Sequence, residues 1–175
     1  MESKVFDYQA GAEAALTMLL PALGGSGTIY GAGILDTAMT FSPAKVLLDA
    51  ELFRQVRRVT EGIKVDDNTL ALDVIKKVGP RGSYIAEKHT VKNFRKEGLM
   101  TELFDRRSFG KWEEDGSKDA GTRASEKAMD IITNYKPTPL KPEVQKKIDD
   151  ILEAAAEEKG YLDWYKNEFA PTRPR

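Results

Sequence analysis

The chain has 175 residues, a formal net charge of -1 from 27 Lys and Arg against 28 Asp and Glu, no cysteine and one histidine, His89. That balance supplies no global pull toward nucleic acid or an anionic membrane, and no apolar run approaches the roughly 20 residues a transmembrane helix needs. Without cysteine there is no disulfide, thiolate nucleophile or thiolate metal site; with one histidine there is no multi-histidine centre, and a cytoplasmic location fits.

Met1 to Phe6 is expected to be the end of a strand. Asp7 to Leu23 reads as a helix, with Asp7 as N-cap and Ala10, Ala14, Ala15, Leu16, Leu19 and Leu20 as its apolar surface. The glycines at 24, 25 and 27 lead into a short strand at Thr28 to Tyr30, and Gly31-Ala32-Gly33 follows it. Small polar residues then run to Pro43, which opens a strong amphipathic helix to Glu61. Its core stripe is Val46, Leu47, Phe53, Val56 and Val59, with Gly62 as the stop. Helix, loop, strand, loop, helix is the order of one βα unit in a parallel α/β protein. Tyr30 to Phe41 then lies where such folds place their chemistry. Strand material suffices for one or two units, and a closed eight-unit barrel needs about 250 residues. The expected architecture is a piece of a barrel.

Beyond Gly62 the chain turns almost wholly helical and highly charged. An aspartate-capped helix follows Val65 and ends at Gly79-Pro80, and a short helix is expected from Thr90 to Glu97. Leu99 to Gly116 reads as irregular, anchored by Phe104, Phe109 and Trp112. Further helices fit Lys118 to Tyr135 and the segment opened by Pro142. Trp164, Tyr165 and Phe169 in the terminal tail suggest docking on a surface, such as a partner subunit.

Neither Gly25-Ser26-Gly27 nor Gly31-Ala32-Gly33 completes a GxGxxG fingerprint, and no GxxxxGK[ST] occurs. Tight backbone turns explain these glycines better than a nucleotide.

The motifs now carry a resemblance. Asp7-Tyr8-Gln9-Ala10-Gly11, Ile29-Tyr30-Gly31-Ala32-Gly33-Ile34-Leu35-Asp36 and Thr40-Phe41-Ser42 resemble the C-terminal part of the trimethylamine methyltransferase family. So do Val65-Asp66-Asp67, Leu70-Ala71-Leu72-Asp73, Val78-Gly79-Pro80, His89-Thr90, Leu103-Phe104-Asp105-Arg106-Arg107 and Gly116-Ser117-Lys118-Asp119-Ala120. Each is short; their order and spacing are specific. The resemblance implies an α/β fold, the C-terminal part of a (β/α)8 TIM-type barrel followed by a mainly helical extension. Residues 1–62 would be the last βα units and 63–175 the extension. It implies a corrinoid-dependent enzyme that moves a methyl group from a tertiary or quaternary amine to the cobalt of a separate corrinoid protein. No cofactor is expected on this chain itself, no metal site, and a homo-oligomer is expected. Members acting on trimethylamine carry pyrrolysine from an in-frame amber codon, and relatives without it act on substrates such as glycine betaine. The pyrrolysine would fall at or just before Met1, which would make this chain a downstream piece.

For such a substrate the expected contacts are Asp7, Gln9, Tyr30, Asp36 and Met39. An aromatic face and a carboxylate suit a quaternary amine through cation–π attraction and charge pairing. Plainer roles compete: Asp7 as a helix cap, Tyr30 as core. His89 fits a cap or an interface better than catalysis, Lys4 a surface cation, and Arg106-Arg107 with Asp105 a structural ion pair or oligomer contact. No catalytic residue is singled out, since betaine-type transfer needs no general base. The alternative is a non-catalytic helical interaction or scaffold module derived from the same family. Exposed apolar surface on the Ala-rich first helix would favour the enzyme, because a complete barrel would bury that helix.

Overall fold

A computed structural model describes residues 1–172 of the chain. Helix α1 (Tyr8–Leu23) begins where Asp7 accepts the Ala10 N–H at 3.1 Å, satisfying one of the helix's free amides. Ala10, Ala14 and Met18 lie on its buried face. The small side chains let α2 (Pro43–Thr60) approach, and Ala14, Met18 and Val56 form one core cluster, joined by Leu19, Ile29 and Leu52. Ser42 caps α2 by accepting the Lys45 N–H at 3.3 Å, and Pro43 fills the first turn, where a missing N–H leaves nothing unpaired.

Between α1 and α2 lies a small antiparallel hairpin of β1 (Ile34–Leu35) and β2 (Thr40–Phe41). Ile34 stands opposite Phe41 and Leu35 opposite Thr40. The expected C-terminal part of a (β/α)8 barrel is therefore corrected. Among the described residues the only sheet is this hairpin, and the rest is mainly helical. The reason is local. Thr28–Tyr30 has strand-forming side chains, but Gly31 (φ 95°) and Gly33 (φ 80°) bend the chain directly after it. Ile29 instead packs on the α1–α2 cluster. Met1–Phe6 forms no strand either; its backbone bonds to the hairpin tip, Ser3 O accepting from Asp36 N at 2.9 Å and Met1 O from Thr37 N at 2.9 Å.

The other face of α2 builds a second cluster. Ala44 packs with Leu103, Ala124 and Ala128, and Leu47, Leu48 and Phe104 close around them. Ala124 and Ala128 lie on α7 (Ala120–Asn134). Before it come α3 (Asp67–Leu70), α4 (Leu72–Val78), α5 (Lys88–Glu97) and α6 (Phe109–Glu114). Asp66 and Thr69 cap α3 reciprocally, each backbone N–H reaching the other's side chain at 2.8 Å. Ala71 in the left-handed region (φ 51°) separates α3 from α4, where the sequence pattern ran on as one helix. Helix α6 falls in the segment expected to be irregular. Its start is set by Ser108, which accepts the Lys111 N–H at 3.4 Å.

Met1–Thr133 forms one compact unit and the residues from Asn134 a second. The second holds α8 (Pro142–Glu158), α9 (Leu162–Trp164) and a wide π turn at Tyr165–Phe169. There Trp164 stacks on Phe169 at 5.5 Å, and Tyr165, 7% exposed, lies 5.9 Å from the same ring. These tail aromatics thus pack on one another.

Candidate functional site

The hairpin is rooted in α2 by a buried ion pair. Lys45 Nζ lies 2.7 and 2.6 Å from the two Asp49 oxygens, and the two side chains are 2% and 4% exposed. Asp49 Oδ2 also accepts the Gly33 N–H at 2.8 Å. Gly33 O accepts the Ser42 N–H at 2.9 Å. Gly33 is required at this root. A Cβ there would overlap the Val46 side chain and come within 2.9 Å of Phe41 Cε2, and φ is 80°. No buried side-chain polar atom among the described residues lacks a partner, so the pair meets the condition under which buried charge is tolerated.

At the tip, Asp36, Thr37 and Ala38 are all left-handed (φ 48°, 51° and 71°). Each costs about 1 kcal/mol or more for a residue with a Cβ. The N-terminal segment holds them there through the two backbone bonds to Ser3 and Met1 and a third from Thr37 Oγ1 to Glu2 Oε2 at 3.0 Å. Lys4 Nζ lies 3.3 Å from Asp36 Oδ1.

The candidate residues divide into two sets around this tip. Asp7 caps α1 and also accepts the Ser3 hydroxyl at 3.1 Å; the Ala10 amide, with help from Ser3, holds its carboxyl below the usual range. Gln9 Nε2 donates to Glu13 at 2.7 Å. Glu13 in turn accepts the Glu2 and Ser3 amides at 2.7 and 3.2 Å, and Gln9 foremost lowers its pKa. Asp7, Gln9 and Asp36 therefore all brace the one segment Met1–Lys4. Tyr30 and Met39 are 92% and 82% exposed and take no part in that network. Tyr30 is thus not core, and Phe41, 64% exposed, adds to the open apolar surface.

Sequence reasoning missed Lys45, Asp49, Ser3 and Glu13. A signal for the first two existed: a Lys and an Asp four apart, set among Ala44, Val46, Leu47 and Leu48. Elsewhere, His89 Nε2 reaches the Asn68 carbonyl at 2.7 Å and ties α5 to α3. Asp105 accepts the Arg107 guanidinium and backbone N–H, which hold its carboxyl far below the usual range. Among the described residues no three His, Cys, Asp or Glu gather as metal ligands, and no helix is long and apolar enough to cross a membrane.

The family model for trimethylamine methyltransferase matches residues 1–160. The trimethylamine methyltransferase of Desulfitobacterium hafniense (strain DSM 10664 / DCB-2) is 41% identical over 160 residues, covering 91% of this chain and 32% of that protein. Its counterpart from Methanosarcina barkeri is 40% identical over 154 residues, 88% of this chain and 31% of that one. The glycine betaine methyltransferase of Desulfitobacterium hafniense (strain Y51) is 32% identical over 160 residues, 91% of this chain and 33% of that one. The chain spans about a third of the length of these relatives. With a match that runs through the hairpin, α2 and every helix to α8, the chain belongs to the trimethylamine methyltransferase family.

Proposed function

We propose that this chain is the C-terminal portion of a cytoplasmic methyltransferase. It would take a methyl group from trimethylamine or a quaternary amine of the glycine betaine type and pass it to a corrinoid carried by a partner protein. The observation that carries this is the family match over residues 1–160, with relatives named for both kinds of amine. The hairpin is consistent with the role. A fully methylated ammonium has no N–H to donate, so aromatic faces and carboxylates recognise it. Tyr30 offers an open ring and Asp36, 40% exposed, a carboxylate on a turn whose shape is fixed from both ends.

The corrinoid supplies the nucleophile. The work of this chain is to orient the substrate as an ammonium, quaternary or, for trimethylamine, protonated, so that the methyl carbon faces outward and the nitrogen keeps the electron pair of the broken bond and leaves as a neutral amine, and to keep water away. Lys4, beside Asp36, would give way to the substrate cation. The helices beyond Gly62 would supply subunit contacts. Alone, the chain would be inactive. Leu16, Leu20 and Leu23 on α1 are 59%, 63% and 59% exposed, a surface that the remainder of a larger methyltransferase would cover. This favours the enzyme over a free-standing scaffold module.

The test begins with the intact mass of the native protein from its source cells. A mass well above 19.5 kDa, with peptides running upstream of Glu2-Ser3-Lys4, is expected. That protein should demethylate an amine in the presence of a reduced corrinoid protein. Asp36→Asn should lower kcat/KM about tenfold or more, as loss of a charge contact does. Turnover by the 175-residue chain alone, or an unaffected Asp36→Asn enzyme, would overturn the proposal.

A further inference from the structure

Positive and negative charges are almost equal over the whole chain, yet one concavity is not balanced. A cleft of about 360 Å³ lies between the last turns of α2 and α5 and is lined by Arg54, Arg57, Arg58, Arg95 and Lys96 against one carboxylate, Glu61. Part of this excess has a local cause. Cations in a last turn offset the negative end of the helix dipole, and four of the five sit there. Arg54 has a local partner too, the buried Glu51, but the dipoles do not explain why both basic helix ends converge on one hollow.

The cations are prepared to different degrees. Arg58 is fixed by the Gly62 carbonyl at 2.7 Å and by Glu97 at 2.8 Å, and Arg54 donates to the Met100 carbonyl at 3.1 Å and lies 3.7 Å from the buried Glu51 carboxylate. Each guanidinium still has further N–H donors. Arg57 pairs with Glu61 at 3.3 Å. Arg95 and Lys96 are exposed and make no ion pair or side-chain hydrogen bond among the described residues. Gly98, Leu99 and Met100 also line a second, larger cleft of about 610 Å³. Phe94, 59% exposed, and Met100, 53% exposed, border it. The arginines of that second hollow are committed: Arg106 to the Leu99 carbonyl, Arg107 to Asp105 and Asp115, Arg123 to the Leu103 carbonyl. The surface is therefore a cationic half with unused donors on Arg95 and Lys96, adjoining a half in which Phe94, Leu99, Met100 and Phe104 stand among charges already paired or hydrogen-bonded. That composition marks protein interfaces.

We propose that this double cleft docks an acidic segment of a partner protein, one in which carboxylates flank an apolar anchor. The carboxylates meet Arg95, Lys96 and Arg54, and the anchor enters beside Met100 and Phe94. A nucleic acid fits less well. The chain offers no net positive field to hold a continuous phosphate backbone, and Glu61, Glu97 and Glu102 rim the site.

The experiment titrates the protein in the form its native intact mass establishes, isotopically labelled, with two capped peptides, hexaglutamate and hexaglutamate with a central Leu-Phe pair, and follows backbone amide shifts. Shifts should concentrate on Arg54, Arg95, Lys96, Leu99 and Met100. The Leu-Phe peptide should bind several-fold tighter, and raising salt from about 50 to about 500 mM should weaken both at least tenfold. Arg95→Gln with Lys96→Gln should weaken binding about tenfold with an unchanged circular dichroism spectrum, since exposed glutamine is an equally good helix former. Lys118→Gln, a cation elsewhere, should change nothing. Three results would each overturn the proposal. They are equal binding by the double variant, shifts scattered over the surface, and tighter binding by tripolyphosphate or a single-stranded oligonucleotide than by either peptide.

Discussion

Lys45 and Asp49 pair with side chains 2% and 4% exposed, whereas Asp105, Arg107, Lys111 and Asp115 form a ladder in which the cations are 45% and 52% exposed. Both arrangements close a loop. Asp49 accepts the Gly33 N–H at the root of the hairpin, and Asp105 accepts the Arg107 N–H ahead of α6. Their energetics differ in kind. In the buried pair Lys45 depends on Asp49, and Asp49 on Lys45 and the Gly33 N–H, because water cannot replace a lost partner. In the ladder Asp105 is 15% exposed but its partners stand open to water and salt, which compete for their contacts, so each short bond adds less. Distances alone would rank the two as equals.

The largest effect should follow Asp49→Ala. It strands the Lys45 ammonium in the interior and leaves the Gly33 amide without its acceptor, a loss of about 3–5 kcal/mol. Urea denaturation followed by circular dichroism would measure it. Lys45→Met with Asp49→Leu should recover most of that loss, because a buried pair exchanged for packed apolar groups is often neutral. Recovery would fall short of the parent, since the Gly33 N–H stays unpaired. A loss under about 1 kcal/mol for Asp49→Ala would place the pair with the exposed ones.

Gly33→Ala comes next. The new methyl meets Val46 and Phe41, and φ stays near 80°. A destabilisation of about 2–3 kcal/mol is expected from strain and overpacking together. The loss should appear as faster amide exchange in Ile34 to Phe41 before it appears in the helices.

Asp66 stands between the two extremes, capping α3 from a half-exposed position. Lys64 first, and the Thr69 amide second, hold its pKa at about 2 against an ordinary 3.8. A depressed folded value means the contribution is complete above the unfolded value and is lost as pH falls through the folded one. Exchange at Thr69 and Leu70 should therefore be flat above pH 4 after correction for intrinsic rates and should rise relative to α2 as pH drops toward 2. Lys64→Met should move that midpoint up toward the ordinary carboxylate value. An unchanged midpoint would show that the ion pair plays no part.

These effects also explain what could be read from the chain. Asp7 and Ser42-Pro43 announced the starts of α1 and α2, because capping is a local interaction between neighbours. The hairpin was not legible in the same way. Val, Ile, Leu and Thr mark strand material, but what pairs with what depends on residues far away, so the strand expected at Thr28–Tyr30 did not form and a two-residue antiparallel pair stands instead at Ile34–Leu35 and Thr40–Phe41, in the segment read as a loop. Of the candidate site, the capping role of Asp7 was foreseen among its alternatives. The left-handed Asp36–Ala38 tip was not, since only tertiary bonds from Met1–Ser3 hold those residues there. The burial of Lys45 was hidden for another reason. An i,i+4 Lys–Asp pair on a helix is usually solvated, and only the packing of α1 and the hairpin around α2 makes it interior.

The smallest effect is expected from Lys118, whose ammonium reaches both Glu126 oxygens at 2.8 Å. The geometry matches that of Lys45 with Asp49, but the side chains are 46% and 55% exposed. Holding two long side chains in register costs rotamer entropy that nearly offsets the Coulomb gain in water. Lys118→Met should therefore shift stability by no more than about 0.5 kcal/mol, and by less as salt rises. The Lys118 carbonyl is untouched by the change and still accepts the Trp112 indole N–H at 2.8 Å, so the start of α7 keeps its backbone anchor. Glu126→Gln in the same background should then add nothing further, because its partner is already gone. A coupling above about 1 kcal/mol in that double-mutant cycle would show the pair to be shielded from water, and the distinction drawn from exposure would fail at its weaker end.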